Sequence, residues 1–572
     1  MDDSTDNYDT LKEDVLNHWA LKVEDAKCGI ETPPVPQLGI YGELESSAML
    51  LLEEEEPPPP PGTNTGGGSS TNSGLAHASY TSNQLYLEII TITNDTAALT
   101  IHPPWYARNG VYDLGYCTDL TPTIDWQWVL RTEPGQTDLV VTNATDEQGF
   151  YGLRPLDDLP PDDSLGTNFW LAFYTTSDGF SDLSLYISSQ VGATGRVTIP
   201  GFAITNNFSV AAGGVTNVSV TNSAMIQYYE YNMKGTNGIH VIASQPVAVY
   251  ALVYQPEAST AFTGYPTRML GTNYCVLAYP GPNYQYLSQF AVVATENNTS
   301  VTITPSSTAN LLGSTTNLTL QEGQSYQNRS SASGSDVTGT RIESDKPIAV
   351  FAGARFAYVP ANTETEAANP VVQQQLPVDW WGTNALGLSF AGRTDGDTYR
   401  VLAAYNDTVV WTNGVMVATN QASGFTDLII DGPVEFQGSK PIQVAQFANG
   451  TDFDSLPNNY GDPCEMVLPP AGHWLATNVV YTPTGPDSYG NPYDFTTNYL
   501  NIIVVDWATN STYLDVTNAI TNFVAVGTNG YFGARIVVAT GTYTVSSSQP
   551  VGVQVYGFGS YDAYGYFGGV VK

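Results

Sequence analysis

Positive charge is what this sequence has least of: 18 Lys and Arg stand against 55 Asp and Glu, a formal net charge of −37. A surface so acidic repels phosphate backbones and anionic headgroups, which excludes nucleic acid and acidic membranes as partners. Charged residues of both signs make up only 13% of the chain, about half of the usual quarter. Its polarity comes instead from Thr, Asn, Ser, Gly and Tyr. Cysteine is scarce too. Cys28, Cys117, Cys275 and Cys464 lie far apart, with no Cys-x-x-Cys pair, so they read as small buried apolar side chains and not as a disulfide framework. The five histidines, His18, His77, His102, His240 and His473, have no metal-ligand spacing such as H-x-x-x-H, and no G-x-S-x-G elbow or Gly-rich phosphate loop is present. No apolar run reaches membrane-spanning length. The start of the chain, "MDDSTDNYDTLKEDVLNHW", is acidic where a secretory leader is basic, so no signal peptide is legible in it.

What is abundant is repetition. The phrase "ASQPVAVYALV" (243–253) returns as "ESDKPIAVFAGA" (343–354), "GSKPIQVAQFA" (438–448) and "SSSQPVGVQVYGF" (546–558). Its prolines, Pro246, Pro347, Pro441 and Pro550, are 101, 94 and 109 residues apart. A second marker alternates with it: "LGTNFWLAF" (165–173), "LGTNYCVLAY" (270–279), "WGTNALGLSF" (381–390) and the degenerate "LATNVVYTP" (475–483). Two markers alternating four times define four repeats, about 165–269, 270–380, 381–474 and 475–572. Each carries short runs rich in Val, Ile, Tyr, Phe and Thr, punctuated by Gly, Pro and Asn, with no helical period. The expected fold is therefore all-β. Each repeat also divides in two, and half-repeats suit propeller blades; the first and last strand groups are also each incomplete, as a closed ring requires. A propeller-like ring is preferred here to four tandem β-sandwiches.

The Ser-x-Pro or Ser-x-x-Pro step reads as a hairpin corner. Proline fixes φ and has no N–H to donate, and a serine hydroxyl can bond back to the chain. The corner residues are Ser244 and Pro246, Ser344 and Pro347, Ser439 and Pro441, and Ser548 and Pro550. They are structural, not catalytic. Ahead of the repeats, residues 1–52 form an acidic segment in which Leu11, Val15, Leu16, Trp19 and Val23 trace a short amphipathic helix, a candidate docking element for self-assembly. Residues 53–78, with "EEEEPPPPPGTNTGGGSS", form a linker that cannot bury enough surface to order. Residues 79–160 form a small β domain with period-two alternation; within it, "VYDLGYCTDLTPTIDWQWVLRTEPGQTDLVVTN" is similar to an N-terminal module of secreted bacterial proteins.

Chemistry-bearing motifs are sparse. "NGTDFDSLPNNYGDP" (449–463) gathers Asp452, Asp454 and Asp462 with Asn458 in one Gly/Pro-rich loop, hard oxygen ligands of the kind Ca2+ takes, though without EF-hand spacing. This loop is the one cofactor reading, set against an ordinary solvated loop. "TDGD", with Asp395 and Asp397, is a weaker version. Tyrosine clusters such as "YYEY", "PNYQY" and "YGFGSYDAYGYF" are either sugar-stacking platforms or core. No residue is assigned as catalytic.

In order along the chain, "GTNFWLAF", "GRVTIPG", "GIHVIASQPVAVYAL", "PTRMLGTNYCVLAY", "FAVVATENNTSVTIT", "LQEGQSYQ", "GTRIESDKPIAVFAGA", "GDPCEMVLPP" and "YGFGSYDAYGYFGG" resemble the N-terminal domain family of IgGFc-binding proteins, from about residue 165 to 569. The resemblance implies a non-catalytic extracellular or cell-surface recognition or adhesion module whose partners are glycan or protein ligands. The alternatives are a structural subunit of an extracellular assembly and a glycan-active hydrolase. The cysteine-rich repeats that follow this domain in animal mucus proteins are absent from this sequence, so immunoglobulin binding is not part of the expectation.

Overall fold

The computed structural model describes residues 48–51, the strands between 86 and 155 with part of their connections, and 163–571 apart from short loop stretches. The helix expected over Leu11–Val23 and the linker expected at 53–78 lie outside the described residues. Ala48–Leu51, inside the segment expected to dock partners, is a strand paired antiparallel with Phe150–Pro155.

The chain divides into two compact units, Met1–Pro161 and Asp162–Lys572. Among the described residues the first contains two sheets. One orders Ala48–Leu51, Phe150–Pro155, Tyr112–Cys117 and Gln127–Arg131; the other orders Tyr86–Thr93, Thr96–His102 and Asp138–Thr142. Leu87, Leu99, Ile101, Leu139 and Val141 of the second sheet are buried.

The second unit is all-β, as its period-two alternation demands, with short 3-10 turns at its junctions. Its sheets form four assemblies in chain order, each organised by one long strand: Ile239–Tyr254, Arg341–Ala357, Val434–Phe447 and, interrupted once, Gly541–Ser547 with Gly552–Gly559. The first half of each long strand pairs with an opening strand that carries the Gly-Thr-Asn marker or its remnant (Gly166–Leu171, Gly271–Cys275, Gly382–Gly387, Thr477–Thr482). The second half pairs with a closing strand: Thr260–Gly264, Asn369–Gln374, Glu465–Leu468 and Asp562–Phe567.

The Ser-Pro step is not a hairpin corner. The first three long strands run through it, and their ladders slip there, between Ile242 and Val247 in the first assembly. The slip is a bulge, forced because proline donates nothing to a ladder. There the long strand passes from one set of partner strands to the other, so each of the first three assemblies is one curled sheet. The side-chain oxygen ahead of the proline takes up a backbone donor of the neighbouring strand: Ser244 Oγ accepts from Thr194 N–H at 3.0 Å and Ser439 Oγ from Val409 N–H at 2.9 Å. In the second assembly Asp345 Oδ1 takes this role toward Ser300 N–H at 2.8 Å, while the Ser344 hydroxyl donates to the Lys346 carbonyl. Ser548 instead meets the Ser511 hydroxyl. Because one strand serves both halves of an assembly, the halves are not separate propeller blades.

The Gly of the Gly-Thr-Asn marker has a packing cause. A Cβ on Gly166, Gly271 or Gly382 would lie 2.3, 2.7 or 2.7 Å from Cβ of Pro266, Pro377 or Pro470, which begins the junction to the next assembly. In the fourth assembly Ala476 stands at this place and glycine has moved to the opposing segment, where a Cβ on Gly569 would lie 2.2 Å from the Leu475 side chain.

The closing strands touch in cyclic order, first to second, second to third, third to fourth and fourth back to first. Gln373 Nε2 donates to the carbonyls of Ala261 at 2.9 Å and Glu465 at 2.7 Å, bridging three of the four strands. Asp562 accepts from the Ser259 N–H at 2.9 Å and hydroxyl at 2.8 Å, joining fourth to first. The ends of the unit also meet, through Ser164 N–H to the Val570 carbonyl at 2.7 Å. One apolar cluster spans this closure, with Tyr186, Tyr250 and Tyr254 packed among Val480, Phe495, Tyr564 and Tyr566. Burial pushes the carboxyls of Asp397 and Asp562 up to about 7.

Two outcomes follow. Gln373→Ala strips a donor from two buried carbonyls and is expected to lower unfolding stability by roughly 2–4 kcal/mol in urea titrations, while Gln321→Ala, at an exposed site, changes it by less than about 0.5 kcal/mol. Because the folded state holds protons on Asp397 and Asp562 that the unfolded chain releases near pH 4, stability is present in full below about pH 4 and falls as pH rises through about 7. The urea midpoint at pH 5 is therefore expected to exceed that at pH 8, and Asp562→Asn to flatten the difference.

Candidate functional site

The third assembly places three polar or amphipathic side chains in one cross-strand row. Asn384 on the opening strand is opposite Gln437 on the long strand, and Gln437 is opposite Trp411 on strand Thr408–Thr412. Residues directly opposite share a sheet face. Met416, directly opposite Trp411 on the edge strand Val415–Asn420 and 58% exposed, extends the row. Trp411 sits just before a turn made by Asn413 and Gly414, whose positive φ values of 48 and 80° suit a tight hairpin. The fourth assembly supplies the facing wall with Asn529 and Tyr531. Together they line an open cleft of about 570 Å3.

The floor is Glu435, two residues along the strand from Gln437 and 1% exposed. Its Oε1 accepts from Asn529 Nδ2 at 2.6 Å and Gln437 Nε2 at 3.2 Å, and its Oε2 accepts from Thr528 N–H at 2.9 Å. The loop that delivers these donors approaches so closely that a Cβ on Gly527 would lie 2.3 Å from that of Glu435. A carboxylate satisfied in this way positions its neighbours and is poorly placed to act as nucleophile or base. Among the described lining residues there is no second carboxylate, no lysine and no arginine.

The corresponding place in the first assembly is filled. His240 stands where Glu435 does, stacks on Trp170 with ring centroids 4.1 Å apart, and its Nε2 lies 2.9 Å from Asn168 Oδ1. Burial, with Arg196 nearby, pushes its imidazole down to about 4, so it is neutral near pH 7 and serves as a strand residue.

The expected metal loop is dispersed. Asp454 is engaged by Arg393 at 2.9 Å, both side chains fully buried, and by the N–H groups of Thr394 and Asp395. Asp462 is buried with Oδ1 unbonded, and burial, followed by the nearby Asp562, pushes its carboxyl well above the usual range. Asp452 is exposed, and Asn458 lies outside the described residues. Among the described residues no group of three or more His, Cys, Asp or Glu is placed to hold a metal ion. Asp397 of the "TDGD" stretch is buried, accepting from Phe390 N–H and Gln446 Nε2. Of the aromatics of the final tyrosine cluster, Tyr556, Phe558, Tyr564, Tyr566 and Phe567 are core, and Tyr561 is half-buried. Cys275 and Cys464 are buried and free of disulfides.

Trp411, Gln437, Asn529 and Tyr531 went unnoticed in the sequence. "WTNG" was the available signal, an aromatic next to an Asn-Gly turn, but nothing local shows that residues about a hundred positions later complete its cleft.

Comparison with known proteins bears on the whole unit. The profile of a family described as IgGFc binding protein matches residues 260–557. A human protein named IgGFc-binding protein is 25% identical over 317 residues, which cover 53% of this chain and 5% of the human protein. Among the described residues no helix is long and apolar enough to cross a membrane. With more than half of its length matched by the profile, the chain belongs to the IgGFc-binding protein family.

Proposed function

We propose that this protein is a non-catalytic extracellular or cell-surface recognition module that holds glycan or protein ligands without turning them over. The observation that carries this reading is the cleft at Trp411 and Tyr531: open, flanked by two half-buried aromatic rings, and floored by a carboxylate already saturated with hydrogen bonds. Such a cleft has features of a binding site and lacks the pair of available carboxylates that glycoside hydrolysis uses. The relative's name supports binding as the role of the family. Binding of an Fc segment is a property of the human protein's name, and this chain spans 5% of that protein.

The test uses the full chain on a mixed array of glycans and extracellular proteins, IgG Fc among them, with product release followed in parallel by mass spectrometry. Saturable binding to at least one ligand with no product is the expected result. Release of a cleaved product, or an array without any saturable signal, would overturn the reading.

A further inference from the structure

We infer that the cleft between the third and fourth assemblies binds a neutral oligosaccharide, with sugar rings stacked against Trp411 and Tyr531 and sugar hydroxyls bonded by the amides of Asn384, Gln437 and Asn529. The inference rests on the recognition reading above and narrows it to one site and one ligand class.

Three observations point the same way. The first is the unused hydrogen-bonding capacity of the lining. Among the described residues the Trp411 indole N–H, the Asn384 amide and the Tyr531 hydroxyl have no protein partner, and Gln437 spends one amide proton on Glu435 and keeps its carbonyl oxygen. Both rings are half-buried, Tyr531 also meeting Trp474 edge-on with centroids 6.0 Å apart, and each ends in a polar tip, the amphipathic form that suits a ligand apolar on one side and hydroxylated at its rim. Amides, which both donate and accept, match hydroxyls, which do the same.

The second is rigidity. Asn384, Gln437 and Trp411 are fixed in register by two ladders. Asn529 is tied to Glu435 at 2.6 Å, and Glu435 in turn to Thr528 N–H. Binding therefore orders few side chains, which lowers its entropic cost.

The third is charge. The lining offers no cation and the chain carries −37, so a carboxylated or sulfated sugar would bring its charge into a repelling field with no partner. Sialylated and sulfated glycans are thus selected against, and uncharged ones remain.

Isothermal titration of the full chain against neutral β-linked oligomers of glucose, galactose and N-acetylglucosamine, alongside sialylated and sulfated counterparts, tests this. Neutral oligomers are expected to bind and the anionic ones to bind more weakly. Trp411→Ala and Tyr531→Ala should each weaken binding by at least about tenfold, while Trp507→Ala, at a tryptophan 71% exposed outside the cleft, should leave it unchanged. If Trp411→Ala proves unfolded by its melting profile, Asn529→Ala on the exposed rim should still weaken binding on the order of threefold to tenfold. Neutral-sugar binding that survives these substitutions in folded protein would overturn the assignment, as would tighter binding of the anionic sugars. Binding of a protein ligand with no neutral sugar bound would remove the cleft assignment and leave the recognition reading standing; absence of every ligand would remove both.

Discussion

Four closing strands converge on one axis, and a strand that ends a sheet still has backbone carbonyls to satisfy. At a solvent-exposed edge water does this, but here the edges are buried against each other. Side-chain amides and hydroxyls stand in for a ladder: Gln373 reaches the carbonyls of Ala261 and Glu465, the Gln374 oxygen takes the Tyr265 N–H at 2.9 Å, and Asp562 takes both polar groups of Ser259. Polar residues in the core are what let curled sheets meet edge to edge without merging. The composition, poor in charge and rich in amides and hydroxyls, fits that need, since an uncharged donor costs less to bury than an ion.

The few arginines are used where neutral groups do not suffice. Arg400, 1% exposed, reaches Asp336 at 2.6 Å in the second assembly and Asp427 at 2.8 Å in its own, with its guanidinium over the rings of Tyr279 and Phe425. Arg341 donates to Ser423 and the Ala404 carbonyl across the same junction, and Arg355 donates to the Thr176 carbonyl between second and first. A planar fork satisfies several acceptors at once. Buried pairs of this kind are costly to break and modest in net stability, so their part is to fix the relative placement of neighbours. At the junction that forms the cleft, Arg535 of the fourth assembly donates to the Ser389 carbonyl of the third.

The closing strands also hold buried carboxyls without a hydrogen-bonded cation. Neither oxygen of Glu465 is bonded to protein, and burial pushes this group well above the carboxylate range. In its uncharged form such a group can lie near a second buried acid without repulsion.

Sequence alone determined the all-β character and the family, because both reside in local alternation and in markers repeated along the chain. It marked the Ser-Pro and Gly-Thr-Asn steps as recurring, and it named proline's missing N–H as a constraint on the first. It mistook a bulge for a hairpin, since a missing donor breaks a ladder in either case and only the partner strands on both sides, such as 193–199 and 182–189 around the first long strand, decide between them. Proximity in sequence also suggested that Asp452, Asp454 and Asp462 act together, whereas the fold gives Asp454 to Arg393 some sixty residues earlier. The cleft was illegible for the same reason. Trp411 and Tyr531 are 120 residues apart, and what brings them together is the packing of the third assembly against the fourth, a contact between assemblies that no local pattern encodes.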